Sequence, residues 1–353
     1  VRLQKSGPFL LQVWKKKQRD EMKISGSKIL VTGGAGFIGS HIVESLVKNG
    51  AEVTVYDNLS SGSMDNLRRV EEGIEFVKAD ILDRSKLAAA MKGKDAVSHQ
   101  AAQLEIMLCT SNPLKDLEIN TIGTLNVIGA ARGAGVRKVI NASSACVYGQ
   151  AVSVPENEEH AKNPNWAYGV SKLAAENYCN IASQAGDIEC TNLRYAIIYG
   201  PREWYGRVLT MFIKRVLEGK PPVIFGSGNQ LRDFTNVSDV VDFHNMCMEN
   251  DRAIGESYNV SSGVGTSVKE LADIVVNASG KDLKPVYENV KEGEKSGHMP
   301  FRVRLPAELE RMVLDNSKAR SLGWFPKTKL EDGIRTEIGW AAASPSLWKE
   351  LHI

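Results

Sequence analysis

The sequence predicts an α/β protein: a doubly wound parallel sheet with a smaller C-terminal lobe. Three observations predict it. From residue 28 to about 200, short apolar runs rich in Val and Ile alternate with stretches whose apolar residues recur at helical period. A glycine-rich turn joins the first run to the first helix, and an acid closes the second run. Beyond residue 200 the alternation loosens, with more Gly, Pro and aromatic residues and irregular segments. These patterns place residues 22–199 and 237–254 in the sheet domain, 200–236 and 255–340 in the lobe, and 341–353 in a tail.

The totals set bounds on this picture. At 353 residues the chain can bury a large core and is near the size at which one core splits in two. A net charge of +2 provides no field that would select nucleic acid or an anionic membrane. Five cysteines (Cys109, Cys146, Cys179, Cys190 and Cys247) are scattered, without a C-x-x-C pair. That argues against a disulfide framework or a zinc site and fits a reducing cytoplasm. No apolar run is long enough to cross a membrane. Residues 1–21 combine Phe9-Leu-Leu11 and Val13-Trp14 with the basic run Lys15–Lys17. They read as a disordered extension ahead of Met22, with an amphipathic arm as the other reading.

The elements follow in order. Ile29, Leu30 and Val31 form a buried parallel strand, and Gly33, Gly36 and Gly39 follow at G-x-x-G-x-x-G spacing. Ile42, Val43, Leu46 and Val47 then continue a helix that Asn49-Gly50 stops. The next strand, Glu52–Tyr56, delivers Asp57 at its end. Strand, glycine turn, helix, strand and acid make the dinucleotide-binding unit. Glycine lets the backbone approach the pyrophosphate at the helix N-terminus, and the acid accepts hydrogen bonds from the adenosine ribose hydroxyls. A carboxylate at Asp57, with no Arg in Asn58–Gly62, favours NAD over NADP.

A short helix is expected near Met64–Val70 and a strand over Ile74–Val77, leading to Asp80 and Ile81. Asp80 either meets an adenine edge or caps the helix after it. A helix over Arg84–Met91 and a strand over Asp95–Ser98 lead to His99-Gln-Ala-Ala102. Small Ala101 and Ala102 suit close approach of a cofactor, and His99 reads as a packed histidine. Asn112-Pro113 starts a long helix that ends near Gly133–Gly135, followed by a strand over Val136–Ile140. Asn141-Ala-Ser-Ser-Ala-Cys-Val-Tyr-Gly149 then lies at the carboxyl end of the sheet. A helix over Ala167–Ala185 carries Tyr168 and Lys172, and a strand over Glu189–Leu193 runs into Arg194-Tyr195. The helix near Val240–Glu249 is expected to pack back on the first domain.

Tyr168 and Lys172 are four apart on that helix, one turn apart on one face. Free tyrosine, with a pKa of about 10, is a poor base at neutral pH. A nearby ammonium and a positive nicotinamide ring stabilise its phenolate. Tyr168 can then take a proton from a sugar or alcohol hydroxyl while hydride leaves the same carbon. Ser144, at the preceding strand end, can bond the reacting oxygen and relay its proton. Tyr-x-x-x-Lys alone is frequent by chance; the glycine motif and the Ser-Ser strand end give this one its weight.

Together, Thr32-Gly-Gly-Ala-Gly-Phe-Ile-Gly39, Ser143–Gly149, Tyr168-x-x-x-Lys172 and Leu193-Arg-Tyr195 resemble an extended short-chain dehydrogenase/reductase with a Rossmann domain. Within that group the chain resembles the NAD-dependent nucleotide-sugar epimerase/dehydratase family from about residue 26 to 340. The resemblance implies Ser144, Tyr168 and Lys172 as catalytic residues. It implies Gly33, Gly36, Phe37, Ile38, Gly39, Asp57, Asn58, Asp80, Ile81, Ala101, Ala102, Asn120, Tyr168, Lys172 and Tyr195 as NAD contacts. It also implies a homodimer through helices 113–133 and 167–185.

Departures from the family pattern narrow the reading. Similar dehydratases and decarboxylases carry a Glu before Val-Tyr-Gly, to move a proton next to the keto group. Here Ala145 and Cys146 stand instead. Inversion at C4 needs no such acid, which favours a 4-epimerase of a UDP-hexose or UDP-hexuronate. Phe225–Asp239 resembles the segment whose arginine, here Arg232, meets the substrate pyrophosphate. A salt bridge from Arg232 to Asp233 or Asp239 is the competing reading. Lys291-Glu-Gly-Glu294 stands where Arg-Pro-Gly-Asp is common, and Arg302 or Arg304 offers compensation. Ala196-Ile197 replaces the usual Phe-Asn. Arg202 or Arg207 offers a cation for a uronate carboxylate. The substrate contacts expected are thus Ser144, Arg207, Phe225, Arg232, Lys291 and Glu294. No metal is expected. The alternatives are a nucleotide-sugar oxidoreductase or dehydratase and, more remotely, a non-catalytic NAD-binding sensor.

Overall fold

A computed structural model describes residues 21–104, 106–203, 205–299, 302–304 and 308–344. The expected N-terminal extension lies outside these residues except for Glu21. The strands are β1 (Lys28–Thr32), β2 (Glu52–Asp57), β3 (Ile74–Lys78), β4 (Ala96–His99), β5 (Lys138–Ser144) and β6 (Glu189–Tyr195). β7 (Ile197–Tyr199), β8 (Val223–Phe225), β9 (Leu231–Asn236), β10 (Ser257–Val260), β11 (Gly265–Ser267), β12 (Val286–Glu288) and β13 (Arg311–Met312) follow. The longer helices are α1 (Phe37–Lys48), α2 (Arg84–Met91), α3 (Gly123–Ala134) and α4 (Ala167–Gln184). After them come α5 (Val208–Leu217), α6 (Val237–Glu249), α7 (Val268–Ser279) and α8 (Leu330–Ala343).

Seven strands form one all-parallel sheet in the order β10-β6-β5-β4-β1-β2-β3. Alternate side chains of β1 enter different cores: Ile29 and Val31 one, Leu30 the other. Both faces of the sheet are therefore covered, which explains the unbroken apolar runs. The chain winds outward from β1 in both directions, and this reversal opens a crevice beyond the carboxyl ends of β1 and β4. Register places Thr32 opposite His99, and Ser144 opposite Tyr195, along that edge.

The lobe holds two small sheets, one of β11, β9 and β13 with β7 added against β9, and one of β12 with β8. Its core lies among α5, α7 and α8, around Phe212, Ile213, Leu271, Val275 and Ile334. As expected, α6 returns to the first domain: Asn245 Nδ2 donates to Ser45 Oγ on α1 at 2.8 Å.

Four expectations change. β10 belongs to the main sheet rather than the lobe, because it covers the open edge of β6 with four paired residues. β7, expected in the first domain, pairs with the lobe strand β9. The long helix from residue 113 runs as expected to a left-handed Gly135 at φ 75°, but not as a regular α-helix: its backbone stays helical while Leu117–Ile122 forms a π turn between Pro113–Asp116 and α3. The expected tail begins too early, since α8 continues to Ala343.

Candidate active site

The glycine turn has the shape its spacing demands. Gly33 has φ +68°, and a Cβ there would stand 2.6 Å from the backbone nitrogen of Ala101. β1 and β4 therefore approach each other at a point where only glycine fits. A Cβ on Gly39 would fall on the Gly33 carbonyl. α1 begins after Gly36, which has no side chain to cap it, so the first amides keep their positive end toward the crevice. Asp57 is 8% exposed; its carboxylate accepts the amides of Ala35 at 3.0 Å and Leu59 at 2.7 Å. Burial pushes its carboxyl up while these bonds oppose the shift. This cradle fits a dinucleotide.

A cavity of 590 Å³ runs from this cradle to the lobe. Gly33, Gly36, Phe37, Ile38, Gly39, Asp57, Asn58, Asp80, Ile81, Ala101, Ala102 and Tyr195 line it, together with Ser144, Tyr168, Lys172, Arg207 and Arg232. Asn120, Phe225, Lys291 and Glu294 do not. Asn120 stands behind the wall, where its side chain accepts the Gln103 amide at 2.9 Å and donates to the Gln103 carbonyl at 3.0 Å. Phe225 packs with Met211, Val223 and Met299 inside the lobe. Lys291 and Glu294 are exposed and close a local turn through the Lys291 amide. Asp80 bonds the Leu82 amide and Asn58 Nδ2, whereas the cap of α2 is Asp83, which accepts the Lys86 amide at 3.0 Å. His99 is packed, bridging Thr32 Oγ1 at 2.7 Å and Thr124 Oγ1 at 3.0 Å.

Ser144 ends β5, and Tyr168 and Lys172 stand on the first turns of α4, so two separate pieces of chain meet at one wall. The Ser144 hydroxyl bonds the Tyr168 phenol and also accepts the Cys146 amide at 3.1 Å. Burial pushes the Tyr168 phenol far above its ordinary value, and the Ser144 bond and the Arg207 charge lower it less. In the chain by itself, desolvating an interior phenolate outweighs those contacts. Lys172 is pulled down to about 8 by burial, against the raising effects of Cys179, Asp116 and Cys109.

A buried ion pair supports this wall. Arg194 on β6 donates through Nε to Glu176 Oε2 on α4 at 3.1 Å and through Nη1 to the Tyr148 hydroxyl at 2.7 Å. Ser143 Oγ donates to the same Glu176 oxygen at 2.8 Å. The Arg of Leu-Arg-Tyr and the Tyr of Val-Tyr-Gly thus belong to one strut under Ser144.

At the lobe end the arginines already have partners. Arg207 donates through Nε to Glu203 Oε1 at 2.9 Å and through Nη2 to the Ile198 carbonyl at 2.7 Å. Buried Glu337 faces Glu203, and burial followed by that neighbouring charge pushes its carboxyl up. Arg232 pairs with Glu308 at 3.4 Å. Neither Asp233 nor Asp239 takes it: Asp233 accepts from Ser262 and Gly263, Asp239 from Lys327 and Thr328. Arg202 pairs with Glu44 and Ser40 of α1 and is not in the cavity wall. Arg302 lines the wall, whereas Arg304 binds the Val290 carbonyl at 2.7 Å. Glu203 and Glu308 were not found from sequence. Glu203 lies four residues before Arg207, a helical spacing that was a usable signal; Glu308, 76 residues from Arg232, left none.

Comparisons with known proteins agree with this geometry. The sequence profile of the NAD dependent epimerase/dehydratase family matches residues 29–261. A putative UDP-glucose 4-epimerase of Methanocaldococcus jannaschii is 38% identical over 318 residues, covering 88% of this chain and 97% of that protein. A UDP-N-acetyl-alpha-D-glucosaminuronate decarboxylase of Bacillus cytotoxicus is 31% identical, covering 89% and 97%. The UDP-glucose 4-epimerase of Thermotoga maritima, solved with UDP-glucose, superposes with a TM-score of 0.81 at 34% identity, covering 90% of this chain and 99% of that one. MoeE5, solved with UDP-glucuronic acid and NAD, superposes at 0.78 with 30% identity, covering 90% and 99%. The match spans both the cradle and the Ser144–Tyr168–Lys172 wall: the chain belongs to the NAD-dependent epimerase/dehydratase family and takes NAD as its cofactor.

Proposed function

We propose that this chain is a nucleotide-sugar 4-epimerase acting on a UDP-hexose or UDP-hexuronate through a transient 4-keto sugar. One observation carries the choice within the family. Ala145 and Cys146 line the cavity beside Tyr168 where relatives that act next to the keto carbon carry a carboxylate. Tyr168 takes the proton of the sugar's 4-hydroxyl and later returns it, and Ser144 holds the reacting oxygen and relays that proton. Lys172, one turn away, opposes the charge that develops on the phenol. Bound NAD supplies the hydride acceptor at the same carbon and the positive ring that favours the phenolate. Gly33, Gly36, Phe37, Ile38, Gly39, Asp57, Asn58, Asp80, Ile81, Ala101, Ala102 and Tyr195 hold that cofactor, while Asn120 fixes the wall behind it.

Arg232 meets the pyrophosphate by exchanging Glu308 for phosphate oxygens, and Arg302 stands beside it in the wall. Phe225, Lys291 and Glu294 reach the nucleotide only if the lobe closes over it. A uronate substrate is the second reading, favoured by Arg207 at the sugar end. The two long helices pair with those of a second copy. Leu114 (73% exposed) and Ile181 (59%) lie on them with other uncovered apolar side chains. Five cysteines outside any disulfide suit a reducing cytoplasm.

The experiment supplies UDP-glucose and UDP-glucuronate separately to protein purified without added cofactor, with products read by chromatography and proton NMR. A C4-inverted product without net reduced cofactor is expected, and the preferred sugar decides the role of Arg207. A dehydrated product, or one reduced cofactor per sugar, rejects the epimerase.

A further inference from the structure

Lys172 is 3% exposed, and a carboxylate that acts on it electrostatically is buried on a different element. Asp116, 2% exposed, ends the short helix that precedes the π turn. One carboxylate oxygen, Oδ1, accepts Ser171 Oγ at 3.0 Å and Asn120 Nδ2 at 2.6 Å. Ser171 directly precedes Lys172, so the carboxylate is anchored to the turn of α4 that carries the ammonium. The π turn brings Asn120 to the same oxygen. Asp116 does not line the cavity and touches no reacting atom.

Among the described residues, the other groups acting on Lys172 provide no fixed negative charge, and Glu176, one turn later on α4, is paired with Arg194. The thiols of Cys109 and Cys179 act on it, from the 106–111 helix and from α4. The hydrogen bond with Cys190 pushes the Cys179 thiol up, and burial acts in the same direction. His99, on β4, is held neutral by burial and by Lys172 itself, at about 3. Burial favours the neutral phenol of Tyr168, one turn earlier on α4, until the bound cofactor's positive ring draws it toward the phenolate. Asp116 is the one carboxylate among the groups acting on this lysine.

We propose that Asp116 is a positioning residue for the reaction, the buried counter-charge that keeps Lys172 an ammonium inside the fold. The proposal rests on the epimerase reading only in taking Lys172 as a working group. Burial alone drives a lysine toward the neutral amine. At about 8, Lys172 lies close enough to neutral pH for one neighbouring charge to decide its state. Losing an opposite charge at such a site costs about one pH unit of proton affinity. Near pH 7.5 that change turns a mostly protonated lysine into a mostly neutral one.

Asp116→Asn keeps the size and the Oδ1 acceptor for Ser171 and Asn120 and removes only the charge. Two readouts apply to the full chain with its cofactor. The first is the pH dependence of kcat and KM for sugar inversion. The second is the NMR titration of the lysine ε-carbon in protein carrying ¹³C-lysine, with Lys172→Arg to assign the resonance. The alkaline limb of kcat and the Lys172 titration are both expected to move down by about one pH unit, with KM unchanged within about twofold. Asp116→Glu is expected to restore both. A wild-type titration and pH profile in Asp116→Asn would overturn the proposal and leave Asp116 a purely structural residue. If Asp116→Asn does not fold, Asp116→Ser, which keeps an acceptor, is read by the same two criteria. A wild-type protein that inverts no sugar rejects the epimerase reading, while the NMR titration still decides Asp116.

Discussion

At the residue scale, the cradle depends on atoms that are missing. Gly33 and Gly39 leave no room for a Cβ against the Ala101 backbone and the Gly33 carbonyl. Gly39→Ala is expected to reduce NAD retention by at least tenfold while the circular dichroism spectrum stays native; the cofactor released on denaturation measures it. Retention at the wild-type level would mean that the turn relaxes and that the contact does not control binding. These glycines, Asp57 and the Tyr168–Lys172 pair were legible in the sequence because each acts within one strand–turn–helix unit or one helical turn. Arg232 was legible as a cation but not as the partner of Glu308, because that pair depends on how distant loops of the lobe fold back. The burial of Tyr168 was illegible for a related reason. A neighbouring charge can be read from spacing, but burial cannot.

At the element scale, β5, β6 and α4 are held in register by the Arg194–Glu176 pair and its bonds to Ser143 and Tyr148. Arg194 and Glu176 are 3% and 1% exposed, so removing one charge strands the other in the interior. Glu176→Gln is expected to destabilise the protein by about 3 kcal/mol in chemical denaturation, with activity lost in proportion to displacement of Ser144. A loss below about 1 kcal/mol would show that water enters to solvate Arg194. Alternation of apolar runs was enough to place the strands of the first domain. It did not find the π turn at Leu117–Ile122, which fits Asn120 and Asp116 to Ser171 across the helix pair. Nor did it place β10, whose position is set by the open edge of β6.

At the scale of the whole molecule, β-bridge pairing of Glu156 with Leu314 joins the loop after β5 to the lobe. The Glu156 side chain is 1% exposed, and burial pushes its carboxyl up to about 7, with a Val313 backbone bond opposing. A carboxyl raised by folding contributes stability that is complete below its unfolded value of about 4.5. That contribution is lost as pH rises through about 7. Glu156→Gln is therefore expected to match the wild type near pH 4.5 and to melt about 3 °C higher at pH 8. Equal melting temperatures at pH 8 would mean that the carboxylate is paired or hydrated once ionised.

In the proposed reaction hydride leaves and returns at one carbon, and the position of an isotope reports this. UDP-glucose and UDP-glucuronate, each carrying deuterium at C4, are incubated with the purified protein without added cofactor, and the products are read by proton and deuterium NMR. The expected product is a sugar inverted at C4 with deuterium still on C4. Deuterium on C6 of a dehydrated sugar, deuterium in released reduced cofactor, or no turnover of either sugar would contradict it.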